Sequence, residues 1–233
     1  REFWASRMGF ILAASGSAIG LGNVWKFPYI TGQNGGGAFV LIYLICVFIV
    51  GLPIMLAEFI IGRKTNLNPV GAFRSLGKRK TWIITGYMGV LAGFLILSFY
   101  GVVGGWTLAY VVKSMMATVT HFTSPAEASD FFRSFTANSL EVTIYHFLFI
   151  SICVSIVIKG IHGGIEKACN FLMPTLLLML IVLMIRSLTL EGAKQGVIFY
   201  LSPDFTKISP QTVLIALGQA FFSLSIGMGC MIT

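Results

Sequence analysis

The sequence predicts an all-α, polytopic membrane protein. Three observations carry that expectation. Of the 233 residues, 56% are hydrophobic and 10% charged, against about 25% charged in a soluble domain. The apolar residues form long runs: residues 82–112 hold no charged side chain, and residues 39–61 hold only Glu58. Each run exceeds the ~20 residues that cross a bilayer as a helix. These features exclude disorder, a secreted disulfide scaffold and a nucleic-acid module. The net charge of +8 does not reverse this, because six cations (Arg63, Lys64, Arg74, Lys78, Arg79 and Lys80) crowd one short connection without an acid. That is the pattern of a cytoplasmic loop. The expected surroundings are a lipid bilayer, with no nucleic-acid partner.

Six hydrophobic segments follow in order. The first, about 5–30, starts directly from Arg1, so no cleavable leader is expected. The second, 37–63, is a near-continuous apolar run ending at the basic loop. The third, 81–117, contains the longest uncharged stretch. The fourth and fifth, 139–158 and 164–187, are separated by a short basic turn with Lys159 and Lys167. The sixth begins at about 211 and reaches Thr233 without a basic flank, so a continuation beyond it is expected. An inside N-terminus places ten basic residues in cytoplasmic positions against five outside, which sets the orientation. The outer connection 118–138 is short. The connection 188–210 has room for a short helix between turn signals at Ser202-Pro203-Asp204 and Ser209-Pro210. Residues 1–233 are therefore read as a single transmembrane domain in the plasma (inner) membrane.

Cys46, Cys153, Cys169 and Cys230 fall in apolar stretches without metal-like spacing and read as small core hydrophobes. His121, His146 and His162 are scattered, with no acid pair beside them. No catalytic constellation results, so the chain is not read as an enzyme.

Segment one is unusual at its centre. Residues 15–23 read SGSAIGLGN, and a glycine inside a helix costs about 1 kcal/mol relative to alanine. Segment six has a similar passage at residues 221–229, FFSLSIGMG. Both contain I-G-x-G. Unwound backbone at membrane depth survives only where protein buries it or where it lines a wet cavity. One such break would read as close helix packing through small residues. Two matched breaks, five spans apart, read as a discontinuous-helix transport site. Such a break offers free carbonyls from one half-helix and free N–H groups from the other. The carbonyls suit a hard cation, and the N–H groups with the positive dipole end suit a carboxylate.

Residues 16–39 (GSAIGLGNVWKFPYITGQNGGGAF), 51–63 (GLPIMLAEFIIGR) and 218–229 (GQAFFSLSIGMG) resemble signatures of the neurotransmitter:sodium symporters, and in particular their bacterial, LeuT-like amino-acid branch. The likeness covers the whole chain. It implies a LeuT-type fold with discontinuous helices 1 and 6, the first inverted repeat at about 5–187 and the start of the second at about 211–233. Most of the second repeat would lie beyond this sequence.

The resemblance also implies roles. One sodium ion would be held by the Ala18 carbonyl, the Asn23 side chain and the Ser223 hydroxyl. A second would take the Gly16 and Ile19 carbonyls. The substrate carboxylate would meet the N–H groups of Leu21 and Gly22 and the Tyr100 hydroxyl, beside Ala18 and Ser223. The pocket wall would comprise Ser17, Ile96, Tyr100, Phe222, Ser225 and Met228. Monoamine members carry an aspartate at the position of Gly20, so its absence implies a substrate with its own carboxylate, a neutral and hydrophobic amino acid. Lys26, Tyr100 and Phe222 resemble an outer gate, Arg1 and Trp4 a cytoplasmic latch, and Glu58 a structural brace. Tyr43, Gln219 and Ser223 match three positions of the chloride site of chloride-dependent members, whose deciding position is on a seventh helix.

The expected function is sodium-coupled symport by alternating access. The alternatives are an inactive or regulatory fragment of such a transporter, or a channel. A channel would show a continuous polar stripe, whereas the polar groups here gather at two breaks. Oligomeric state is left open.

Overall fold

A computed structural model of the chain describes residues 6–117, 119, 122 and 124–232. These residues are helical, with no strand among them. They divide into two compact units, one formed by the described residues up to Val90 and from Ile165 onward, the other by Leu91–Gly164.

In the first unit, α1 (Arg7–Ala18) starts at Ser6, whose Oγ accepts the Gly9 N–H at 2.9 Å. The serine satisfies one of the donors that a helix start leaves open. The helix stops at Ala18, and a π-helical turn at Gly22–Lys26 leads into α2 (Phe27–Gln33), which carries Pro28 in its first turn. The two halves meet at 48°. The glycine-rich passage therefore breaks the span as its composition predicted.

Helices α3 (Gly37–Cys46) and α4 (Leu52–Thr65) are joined by a π-helical turn at Val47–Gly51 into one span of 29 residues. Gly36 enters α3 at φ 61°, and a side chain there would strike the Phe199 carbonyl. A short helix, α5 (Pro69–Leu76), lies within the basic connection. Asn68 caps it by accepting the Gly71 N–H at 2.7 Å. The sequence reading did not foresee this helix.

The long helix α6 (Trp82–Met115) begins in the first unit. A π-helical turn, Ile161–Glu166, opens α9 (Lys167–Leu188), making one span of 28 residues. Helix α10 (Ala193–Leu201) and a short turn of helix at Phe205–Lys207 fill the connection 188–210. Helix α11 (Pro210–Leu224) opens with a reciprocal cap between Ser209 and Thr212. Numbering runs through α7 and α8, which belong to the second unit.

The sixth segment differs from its expected length. Among the described residues four helices are long and apolar enough to span, five with the bent first pair, but α11 ends after 15 residues because Ser225 adopts a left-handed conformation, φ 52°. The chain then continues in turns to Ile232.

The core of this unit lies between α3 and α11. Phe39, Ala216 and Ala220 are fully buried and Cys46 nearly so, with Phe27, Ile42 and Tyr43 packed around them. Two alanines one turn apart let the helices approach closely, the packing that works where lipid removes a hydrophobic drive. The cysteines are all free, but only Cys46 is buried and Cys230 is exposed. The expectation of core cysteines holds for Cys46 alone.

The second unit contains α6 from Leu91 onward, α7 (Pro125–Ala137) and α8 (Ser139–Val157). Gly101, Gly104 and Gly105 make a groove on α6 that receives His146 and Phe149 of α8. A methyl group on any of the three would collide with them. At the end of the groove, Lys113 pairs with Glu141 at 2.7 Å and lies 5.3 Å from the rings of both Phe131 and Phe135. This one ammonium ties three helices. Lys113→Met should therefore destabilise the full-length protein by about 1–2 kcal/mol, because it removes a charged hydrogen bond and two cation–π interactions. A detergent thermal-shift measurement checks it, and an unchanged midpoint would refute the tie.

Candidate functional site

The two breaks of the first unit meet. At the end of α1, three carbonyls have lost their helical partners. The Asn23 side chain turns back, and its Nδ2 donates to the Ala18 carbonyl at 2.6 Å. Its Oδ1 accepts the Ser223 hydroxyl of α11, also at 2.6 Å. The Gln219 amide, one turn earlier on α11, donates to Ser223 Oγ at 3.3 Å. Beside this chain, Ser225 Oγ donates to the Ser17 carbonyl at 2.9 Å. Ser223 is 4% exposed and Ser225 7%. Buried polar atoms are thus partnered across the two breaks, as they must be in a low-dielectric interior.

The chemistry of this cluster is narrow. Its oxygens, Ala18 O, Asn23 Oδ1 and Ser223 Oγ, are hard and neutral, and the Asn23 amide links the first to the third. Oxygen donors of this kind suit hard cations. Among the described residues no group of three or more His, Cys, Asp or Glu could hold a metal ion. A monovalent cation fits three neutral oxygens, and a bound anion would complete its charge balance.

Above the cluster, Gly22 faces the Phe222 ring, and a methyl group at Gly22 would overlap it. Lys26 Nζ stands 5.3 Å from the centre of the same ring. The Phe222 ring is thereby held between an α1–α2 glycine and a cation. The sequence reading placed Lys26 and Phe222 together in a gate. The cation–π contact between them was not foreseen.

Below the cluster, Glu58 of α4 is 6% exposed. Its Oε1 accepts the Gly227 N–H at 2.7 Å and its Oε2 the Met231 N–H at 3.2 Å. One carboxylate thus satisfies two main-chain donors of the unwound stretch after α11. A cavity of about 200 Å³ adjoins it, lined by Glu58, Phe73, Thr85, Gly89 and Met228 among others. Met228 therefore lines the Glu58 side of the break.

The remaining sequence candidates are dispersed. Gly16 packs toward Met173 and Cys169 of α9, and Ile19 is 37% exposed at the break. The Gly20 carbonyl accepts the N–H groups of Asn23 and Val24, which starts the turn containing Leu21 and Gly22. Tyr43 stacks against Phe27 at 4.8 Å. Ile96 and Tyr100 are half-buried and one turn apart on α6, in the second unit. Arg1 and Trp4 lie outside the described residues. The sequence reading overlooked Ser6 and Glu166: Ser6 Oγ donates to Glu166 Oε1 at 2.9 Å, and Glu166 is 4% exposed. An acid two residues after Gly163-Gly164, at the mouth of an apolar segment, was the available signal.

Comparison with known proteins bears on the family and the fold. The family model described as the sodium:neurotransmitter symporter family matches residues 1–134 and 132–233. An uncharacterized sodium-dependent transporter of Bacillus subtilis, YhdH, is 44% identical over 99% of this chain and 51% of its own length. The sodium- and chloride-dependent GABA transporter 2 of Bos taurus is 32% identical over 99% of this chain and 44% of its own. Among solved structures, that of MhsT in complex with L-phenylalanine superposes with a TM-score of 0.92 at 50% identity, covering 100% of this chain and 53% of MhsT. The chain thus spans about half the length of the relatives it matches. With its all-helical fold, two broken helices and a family match along its whole length, the chain belongs to the sodium:neurotransmitter symporter family.

Proposed function

We propose that this chain forms the ion- and substrate-binding part of a sodium-coupled symporter for a neutral, hydrophobic α-amino acid, working by alternating access in the plasma membrane with a cytoplasmic N-terminus. The observation that carries the reading is the hydrogen-bonded cluster of Ala18, Asn23 and Ser223, which joins two helix breaks through neutral oxygens. One Na⁺ binds among these oxygens, and a second at the Gly16 and Ile19 carbonyls. The substrate carboxylate binds at the Leu21 and Gly22 N–H groups and the Tyr100 hydroxyl, near the first ion. The side chain of the substrate rests against Ser17, Ile96, Phe222, Ser225 and Met228. The likeness to MhsT, whose structure holds L-phenylalanine, supports a hydrophobic side chain. Lys26 and Phe222 close the outer side. Tyr43, Gln219 and Ser223 offer part of a chloride site. An inward-negative potential supplies about 2.3 kcal/mol per charge per 100 mV, enough to drive uptake.

Radiolabelled amino-acid uptake by the full-length protein should require Na⁺. Asn23→Ala or Ser223→Ala should weaken amino-acid binding about tenfold or more, the order of loss when a metal site's support is removed, and should shift its sodium dependence in parallel. Equal affinity in sodium and choline buffers would refute the coupling.

A further inference from the structure

We infer that Glu166 is an inner latch that holds the first half-helix, α1, against α9. This rests on the reading of the chain as an alternating-access transporter, and it names a positioning residue for the closed inner side.

A hydrogen bond and a close fit meet at one carboxylate. Glu166 ends the π-helical turn that opens α9, and it is 4% exposed. Ser6 Oγ donates to its Oε1 at 2.9 Å. The same oxygen of Ser6 accepts the Gly9 N–H at 2.9 Å, capping α1. Gly9 leaves the space that the carboxylate fills: a methyl group there would overlap Oε1 and Cδ of Glu166. Acid, cap and glycine are thus fitted to one another across 160 positions of sequence. The negative group also faces the start of α1, where the helix dipole is positive.

The consequence follows from the break. Helix α1 is a 12-residue rod, severed from α2 at Ile19–Leu21 and bent from it by 48°. A rod severed from its second half depends on what it touches along its sides. At its inner-core end it is tied by the Ser17 and Ala18 carbonyls, to Ser225 and Asn23. At its starting end it is tied to Glu166. Along its length Gly16 lies against Met173 and Cys169 of α9. Releasing Glu166 frees the starting end, so α1 can leave α9 while the ion cluster remains in place. A buried carboxylate suits this task because a charge-assisted hydrogen bond such as that from Ser6 is strong and directional.

Cys169 is a built-in reporter, since α1 covers it at Gly16. The experiment uses the full-length protein in liposomes, with Cys169 as its single cysteine and a membrane-impermeant maleimide as probe. Glu166→Ala should raise the labelling rate about tenfold, the effect of losing a hydrogen bond to a charged acceptor. Gly9→Ala should do the same by wedging the carboxylate away. Because both act on one interaction, the double variant should label no faster than Glu166→Ala alone, a strong non-additivity. Glu166→Gln keeps an acceptor for Ser6 and should label close to the parent rate. A second single-cysteine version at Cys153, on α8, separates latch from general loosening. Unchanged Cys169 labelling in Glu166→Ala, equal acceleration at Cys153, or additive effects of the two alanines would each overturn the latch. None of these readouts requires uptake or a known substrate, so loss of the latch is distinguishable from failure of the transport reading.

Discussion

Glu58→Ala should abolish sodium-dependent amino-acid binding in the full-length protein. The carboxylate is the partner of two main-chain N–H groups, those of Gly227 and Met231. Removing it strands both donors in a site within the membrane. An unsatisfied buried donor costs about 1–3 kcal/mol, so losing the partner of two part-buried donors opposes the conformation that presents Ser223 and Ser225 to α1. An alanine cannot recruit the backbone elsewhere, because a substitute helix would require the left-handed Ser225 and Gly227 to rewind. Glu58→Gln keeps one acceptor oxygen and turns an amide donor toward the other N–H, so it should fall between the two. Scintillation-proximity binding of the radiolabelled substrate in sodium buffer measures this order. Parent-like affinity in Glu58→Ala would show that the unwound stretch holds itself.

The second large effect is selectivity for the α-carboxylate. The cluster of Ala18, Asn23 and Ser223 supplies oxygens without a negative charge, and Gly20 adds no side chain. An α-amino acid brings the missing anion. Its decarboxylated amine leaves a cation and helix-end donors facing nothing negative, and sites built around a polar group reject analogues lacking it by factors on the order of 10⁴. The amine analogue of a bound amino acid should therefore fail to compete at any practical concentration. Gly20→Asp should narrow the gap from both sides, by accepting the amine and by repelling the carboxylate. If the amine competes as well as the amino acid in the parent protein, the reading of Gly20 is wrong.

Much of the fold was legible because membrane composition leaves little ambiguity. The runs 39–61 and 82–112 can only be spans, and their observed bounds, Gly37–Thr65 and Trp82–Met115, stay within a few residues of those read from the sequence. The breaks were legible for a related reason, since glycines and serines in an apolar run advertise backbone that is not helical. Short amphipathic pieces were not. Helix α5 hides in a loop whose charges dominate its composition, and α7 is a 13-residue helix that mixes polar and apolar residues. Pairings across long separations were the least visible. Ser225 reaches the Ser17 carbonyl over 208 positions and Ser6 reaches Glu166 over 160. Nothing local distinguishes such a serine from one that caps its own helix, which Ser6 also does.

The grip of Glu58 on the sixth segment has a consequence for how selectivity can change over time. It holds amide nitrogens, which every residue except proline supplies alike. The side chains carried by that stretch, Met228 and Cys230 among them, contribute nothing to the grip. Substitution there can reshape what the passage presents without loosening the peptide that presents it. Inheritance of the scaffold and diversification of its specificity are thereby separable, and a lineage can explore new substrates while its broken helix stays in place.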